Sequence, residues 1–278
     1  MTRLKLFGGI VLNDASADDG ASAGPADASA GERLQRVMLA ALARHTDGAG
    51  RVDYARLRAS ADFGAVDTAA RRLHAVDLTA LAAREARLAF WINVYNALVL
   101  HAIVALSIRR SVTQVWNFFG RVAYRVGGFR FTADDIEHGV LRGNRRRLLP
   151  PLRPFGAHDP RLRFAVDPVD PRIHFAITCG AASCPPVGAY TAAAVDIQLD
   201  LAARNFVNQD VRAGHGGAIV CSKVFKWYGR DFETAGGLAA FLLRYLDDGP
   251  VKDALARGAA PCRAYRPYSW KLQYPAAE

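Results

Sequence analysis

From Glu32 onward apolar residues recur at three- and four-residue steps (Leu34, Val37, Met38, Ala41, Leu42), the period of a helix with one buried face. The pattern breaks at Asp47-Gly48. Arg51-Val52-Asp53-Tyr54 opens a second helical stretch with Leu57, and Leu73, Val76, Leu78 and Leu81 continue in that style through Ala86. Residues 88–106 then hold only three strongly polar side chains, Asn93, Asn96 and His101. Such a run is long enough to suggest a membrane span. Against that, each polar group would cost a few kcal/mol in hydrocarbon unless paired, and Arg84, Arg87, Arg109 and Arg110 flank both ends without favouring an orientation. The run is therefore expected to be a buried core helix. At 100° per residue its polar groups fall within an arc of about 140°, which gives the helix one polar side.

The period changes further along. Tyr124-Arg125-Val126 and Phe129-Arg130-Phe131 alternate, and Gly127-Gly128 between them predicts a two-residue hairpin. Thr132 followed by Asp135 has the form of a reciprocal helix cap, and Gly143 supplies the stop. On that helix Ala133, Ile136, Val140 and Leu141 define the apolar arc. Glu137 falls inside the arc and His138 at its margin. An inward carboxylate must be paired, hydrogen-bonded or raised in pKa, so Glu137 is a candidate for acid–base work. The alternative is an ion-pair brace for one of the many arginines.

Residues 173–179 read as an apolar strand that delivers its side chains into the loop Cys179-Gly180-Ala181-Ala182-Ser183-Cys184-Pro185-Pro186. A period of two puts Ile173, Phe175, Ile177 and Cys179 on one face, with His174, Ala176 and Thr178 on the other. Pro185 favours an extended Cys184 whose sulfur stays out of the core. Beyond the loop, Thr191 can cap a helix to Val207 with Val195, Leu199, Ala202 and Phe206 inward. Residues 218–221 read as a strand, 225–228 as an aromatic turn and 238–246 as a helix. Mixed strands and helices without βαβ alternation predict an α+β fold. The expected form is a single domain over 31–278, with a helical N-terminal half packed on a small mixed or antiparallel sheet. Residues 1–30 are expected to be a disordered leader, because 14–30 is a run of Ala, Ser, Asp and Gly that lacks the apolar area to offset ordering entropy.

Composition adds charge and thiols to this picture. The net charge is +10, from 36 Lys plus Arg against 26 Asp plus Glu. Much of the excess lies at Arg142, Arg145, Arg146, Arg147, Arg153, Arg161 and Arg163. That stretch is either a solvated basic loop or a site for an anionic ligand, and no nucleic-acid-binding motif accompanies it. Four cysteines are too few for a disulfide scaffold. Cys221 and Cys262 read as small core hydrophobes, and only Cys179 and Cys184 are close enough in sequence to act together. Residues 1–12 carry Arg3 and Lys5 but too short an apolar patch for a signal peptide. That points to the cytoplasm, or to the periplasm if an export signal has been truncated, so the compartment stays open.

Five segments taken together resemble the family catalogued as domain of unknown function 547: Phe90-Trp91-Ile92-Asn93-Val94-Tyr95-Asn96-Ala97-Leu98; Asp135-Ile136-Glu137-His138-Gly139-Val140-Leu141-Arg142; Ile173-His174-Phe175-Ala176 with Cys179-Gly180 and Ser183-Cys184-Pro185-Pro186; Lys226-Trp227-Tyr228 with Asp231-Phe232; and Pro267-Tyr268-Ser269-Trp270. The resemblance runs from about Val52 to Leu272. It implies recurrent polar positions at Asn93, Asn96, Glu137, His138, Arg142, His174, Cys179 and Cys184, and no settled activity. Some members stand beside glutaredoxin-like modules, which suits thiol chemistry by analogy alone. The stretch from Arg145 to Arg163 is longer than the family's short linker.

Three functions fit these residues. The leading one is a thiol-dependent hydrolase or acyl transferase acting on a small molecule or peptide. Cys184 attacks a carbonyl, His138 or His174 takes its proton, Glu137 or an asparagine orients the imidazole, and Asn93, Asn96, Arg142 and Cys179 contribute to binding. The second is a redox or metal-binding thiol protein. Cys179 and Cys184 could form a disulfide or share a zinc with His174 and His138, but their spacing lies outside the two-residue knuckle, so no metal ligand and no cofactor is assigned. The third is a noncatalytic binding module in which the asparagines pin loops and the cysteines pack.

Overall fold

A computed structural model of the protein describes residues 9–14, 28–147 and 150–272. Helix α1 (Ala30–Arg44) buries Leu34, Met38, Ala41 and Leu42, the face that the heptad-like spacing marks. It is followed by α2 (Tyr54–Arg58) and α3 (Ala61–Arg71), whose first backbone N–H groups are taken up by the side chains of Asp53 and Ser60. Residues 72–81, read as continued helix, form two single turns of 3₁₀ helix instead.

Helix α4 (Arg84–Ala105) is the axis of the molecule, and every residue from Leu88 through Val104 is buried. By length and composition it could cross a membrane, yet 94% of its most apolar window is covered by the rest of the fold. A helix apolar on all sides needs neighbours on all sides. Here α1 and α2 pack on it, together with a small sheet that follows α5 (Phe118–Arg121). In that sheet β2 (Val122–Val126) pairs antiparallel with β3 (Phe129–Thr132) across the Gly127-Gly128 turn, and parallel with β1 (Ile10–Val11). Both turn glycines have positive φ, as the tight hairpin requires.

Strand β1 corrects part of the leader expectation. Its apolar pair finds the open edge of β2, and buried Asn13 donates to the Ala70 and Arg125 carbonyls while accepting from the Arg125 N–H. Ala30 already belongs to α1. Residues 1–8 and 15–27 of the expected leader lie outside the described residues.

The C-terminal part has its own apolar cluster, in which Phe175, Phe206, Phe225, Phe232 and Phe241 meet. Helix α6 (Val195–Asp210) turns Val195, Leu199, Ala203, Phe206 and Val207 inward, with Ala203 rather than Ala202 on the buried face. A second sheet sets β5 (Ile219–Cys221) between antiparallel β4 (Arg212–Ala213) and parallel β6 (Ala264–Tyr265). The aromatic turn is a short helix, α7 (Lys223–Trp227), and α8 (Leu238–Tyr245) and α9 (Pro250–Ala256) complete the layer. Helices and two small mixed sheets make the fold α+β. Ile173 and Ala176 belong to the first cluster and Phe175 to the second, so this segment runs along the seam between them.

Candidate active site

The expected strand over 173–179 is not formed. Pro171–Phe175 is a turn of 3₁₀ helix, opened by Asp170, whose carboxylate accepts the Arg172 N–H at 3.0 Å. The reason lies just upstream. An Asp-Pro pair starts a helical turn, with proline in the first position where its missing N–H costs nothing. The residues that follow are buried on every side, and a run of that kind carries no period to separate strand from helix.

Asn96 of α4 then grips the chain on both sides of Ile177, donating to the Ala176 carbonyl at 2.9 Å and accepting the Thr178 N–H at 2.8 Å. Asn93, one turn earlier, does the same for Tyr190, with bonds of 2.7 and 2.9 Å to its carbonyl and N–H. Both asparagines are buried and engaged with backbone, which corrects their assignment to ligand binding: they position the loop. Gly180 has φ +77°, and a Cβ there would sit 2.7 Å from the Ile103 side chain, so the turn after Cys179 needs glycine.

That turn folds the two thiols onto each other. Cys179 Sγ and Cys184 Sγ are 2.8 Å apart, and the Cys179 N–H points at Cys184 Sγ from 3.1 Å. The Tyr268 hydroxyl lies 3.0 Å from the first sulfur and 3.2 Å from the second. Burial works against ionisation of Cys184, but the Cys179 thiol, the Tyr268 hydroxyl and the Cys179 N–H donate to its sulfur and bring it down to about 6. Cys179 is pushed the other way by its partner and by burial, so the pair shares one proton with the charge on Cys184. Sequence reasoning gave the Cys184 proton to His138 or His174. A thiol and a phenol hold the charge.

The cavity beside the thiols is also lined from Asp135–Leu141, wound as a π-helix with i to i+5 bonds such as Arg142 N–H to the Glu137 carbonyl, 2.9 Å. Its start is the reciprocal cap read from the sequence: Asp135 N–H to Thr132 Oγ1, and Thr132 N–H to Asp135 Oδ2, both 3.0 Å. The wider winding lets the consecutive Glu137 and His138 both line the cavity, where an α-helical wheel leaves His138 at the margin. Glu137 accepts from the Tyr95 hydroxyl at 2.9 Å and from the Tyr228 hydroxyl at 2.6 Å. Burial raises its pKa, while His138, Tyr228, Arg142 and His174 outweigh burial and hold it below the usual carboxylate range.

His138 Nδ1 accepts from the Arg142 guanidinium at 2.7 Å, which requires a neutral ring with its proton on Nε2. Burial, reinforced by Arg142 and Arg147 and opposed by Glu137, lowers its pKa to about 4. Arg142 also grips Asp231 through two bonds, and Asp231 receives His174 Nε2 at 2.8 Å and Arg145 at 2.8 Å. His174 stacks on Tyr228 with ring centres 3.9 Å apart, and its buried Nδ1 has no hydrogen-bond partner among the described residues. Arg142 therefore acts behind the wall, as a brace rather than a ligand contact.

The cavity enclosed by these groups measures about 200 Å³. Cys179, Cys184, Glu137, His138 and His174 all line it, so the structure brings together five of the eight residues singled out from the sequence. Tyr95, Trp227, Tyr228, Tyr268 and Trp270 also line it, with Asp231 behind; sequence reasoning gave none of them a part in catalysis or binding. The signal was present, since Trp227, Tyr228, Asp231, Tyr268 and Trp270 sit in the two downstream aromatic motifs and Tyr95 lies between the two asparagines. Cys184 also borders a second, more polar recess of about 450 Å³ beside Asp210, Arg212 and Arg266.

Tyr268 and Trp270 arrive on a strap that runs back over the Cys loop. Arg266 N–H bonds to the Cys221 carbonyl, Ser269 N–H to Ser183 Oγ at 2.8 Å, and Ala182 N–H to the Lys271 carbonyl at 2.7 Å. The strap is tied at its start by a Cys221–Cys262 disulfide. That bond corrects the reading of these cysteines as isolated core residues: parallel pairing of β5 with β6 brings together positions 41 apart in the chain. Among the described residues, no group of three or more His, Cys, Asp or Glu could hold a metal ion. In the arginine-rich stretch, Arg142 and Arg145 pair with Asp231, Arg147 with Asp134, and Arg161 with Asp135 and Asp159.

Residues 78–207 match the model of a family described as protein of unknown function, DUF547. The matched segment contains the motifs at 90–98, 135–142 and 173–186, and over it the resemblance read from those motifs is shown; the motifs at 226–232 and 267–270 lie beyond it. No curated protein and no solved structure matches the chain.

Proposed function

We propose that the protein is a thiol-dependent enzyme whose nucleophile is Cys184 and whose second thiol, Cys179, makes the reaction a dithiol–disulfide exchange with an organic disulfide. The observation that carries this reading is the 2.8 Å separation of the two sulfurs, with the charge held on Cys184. A thiol that ionises near 6 is largely thiolate at neutral pH, yet keeps a pKa close enough to ambient to remain a strong nucleophile. The Cys184 thiolate attacks one sulfur of the substrate disulfide, and the other sulfur leaves as a thiolate. Cys179 then attacks Cys184 Sγ, forming the intramolecular disulfide. The second substrate thiolate departs and takes up the Cys179 proton. Two electrons pass from the protein to the substrate, and an external thiol reductant restores the pair.

The test is single-turnover reaction of the dithiol protein with 4,4′-dithiodipyridine, followed by intact mass. The wild type should release two thiopyridone equivalents and carry no adduct. Cys179→Ser should release one and keep a mixed disulfide, and Cys184→Ser should lack the fast phase. A Cys184→Ser variant as fast as the wild type overturns the proposal, as does release of two equivalents without an adduct from Cys179→Ser.

A second reading, hydrolysis or acyl transfer through a Cys184 thioester, is favoured by one observation. His174, braced by Asp231, lines the same cavity with an unpartnered Nδ1 that could serve as acid or base. Ester or thioester turnover retained in Cys179→Ser and lost in both Cys184→Ser and His174→Gln would select it.

A further inference from the structure

The cavity wall is anionic and aromatic on a strongly basic protein. Its lining holds the carboxylates of Glu137 and Asp134 and the Cys184 sulfur and, among the described residues, no lysine or arginine. The chain as a whole carries 36 Lys plus Arg against 26 Asp plus Glu, so this sorting runs against composition. The nearby guanidinium groups stand behind the wall, where Arg142 and Arg145 bind Asp231 and Arg147 binds Asp134. Glu137 differs from those two acids, because its hydrogen-bond partners are the hydroxyls of Tyr95 and Tyr228. Two phenolic donors leave a carboxylate with further lone pairs to offer.

In the same cavity wall, Trp227, Tyr268 and Trp270 form an arc, with ring centres 4.9 Å apart from Trp227 to Tyr268 and from Tyr268 to Trp270. Trp270 is 38% exposed, so the arc extends from the thiols to solvent. Aromatic faces carry negative quadrupole potential, which attracts a cation held over them, more so in a partly desolvated site. A volume of about 200 Å³ is roughly that of six or seven waters, enough for a short alkyl arm with a charged end.

We infer that the site selects substrates in which the reacting group is joined by a short linker to an organic cation of the alkylammonium class, with Glu137 and the Trp227–Tyr268–Trp270 arc as its recognition surface. Where the reacting group is taken to be a disulfide, the inference rests on the exchange reading above. Glu137 then sets specificity, and Cys184 performs the chemistry.

Three disulfides of similar size test it at pH 7: cystamine, bis(2-hydroxyethyl) disulfide and 3,3′-dithiodipropionate, with each rate divided by that of the same probe on a small free thiol. Cystamine should exceed the neutral probe at least tenfold, and the dianion should be slowest. Glu137→Gln, which keeps the shape and an acceptor for the tyrosines, should bring cystamine down to the neutral rate, and Trp270→Leu should lower it several-fold. Equal normalised rates, a faster dianion, or a cystamine preference that survives both substitutions overturns the inference and leaves the exchange reading standing. If none of the three reacts, the exchange reading fails instead. The inference is then read from tetraethylammonium binding by calorimetry: saturable binding weakened by Glu137→Gln supports it, and no binding overturns it.

Discussion

The Arg142 guanidinium grips both carboxylate oxygens of Asp231, 89 residues downstream, with both side chains buried. This pair ties the π-helical segment, which packs in the first apolar cluster, to the turn after α7, which packs in the second. His138 and His174 hang from its two ends, so one brace sets the direction of both imidazoles.

Replacing Asp231 by Ala should therefore cost about 3–5 kcal/mol, since it leaves a buried guanidinium without its counter-charge. Urea unfolding measures the loss. Arg142→Met combined with Asp231→Leu should recover much of it, because both buried charges go together. A single-variant loss under about 1 kcal/mol would show that packing, and not the ion pair, joins the two halves.

The reactivity of Cys184 should follow its ionisation. Iodoacetamide alkylation of the dithiol protein should rise with pH through an apparent pKa of about 6. Removing one donor with Tyr268→Phe should raise that midpoint by about one unit, the worth of a single hydrogen bond to a charged group. An unchanged midpoint would assign the effect to Cys179 alone.

Stability should fall on mild acidification. Folded His138 stays unprotonated down to about 4, whereas an exposed histidine takes up its proton near 6.5. Between those values the unfolded chain binds more protons, so stability present above pH 6.5 is lost as pH falls toward 4. Asp134, pushed up to about 6 chiefly by burial, has the opposite sign between 3.8 and 6 and offsets part of the slope. His138→Gln should flatten the acid limb of a melting-temperature profile, and an acid limb as steep as the wild type's would locate the titration elsewhere.

Loss of the Cys221–Cys262 bond should be felt at a site neither residue touches. Closing a loop of this length constrains the unfolded chain by about 4 kcal/mol in the chain-entropy account. The Cys221→Ala, Cys262→Ala double variant should lose about 2–4 kcal/mol. Its Cys184 midpoint should also drift upward, because the strap that carries Tyr268 is no longer tied at its start.

What could be read from the sequence was what local rules decide. The Gly127-Gly128 hairpin, the Thr132 and Asp135 cap and the buried course of α4 all follow from patterns a few residues long, and all are present. The site was legible as a set of residue types, and Cys184, Cys179, Glu137, His138 and His174 do meet. Their mode of meeting was not legible. An inward Glu137 could be foreseen from its wheel position, but the choice of tyrosine over arginine as its partner depends on Tyr95 and Tyr228, 42 and 91 positions away. The Cys221–Cys262 bond escaped for the same reason, since spacing along the chain says nothing about two strands laid side by side. The strand expected at 173–179 failed differently: the run is buried on all sides and has no period of its own, so the Asp-Pro start decided its form.

The strap has a consequence for how the protein is made. Tyr268 follows Cys184 by 84 residues, so at about 5–20 residues per second a ribosome completes the thiols roughly 4–17 seconds before the phenol that activates them. Until then Cys184 in the nascent chain is an ordinary thiol near pKa 8.5, mostly protonated and slow to react. Translation thus delivers the two thiols well before one of the donors that lower the Cys184 pKa, and the chain passes Cys262 on the way to that donor.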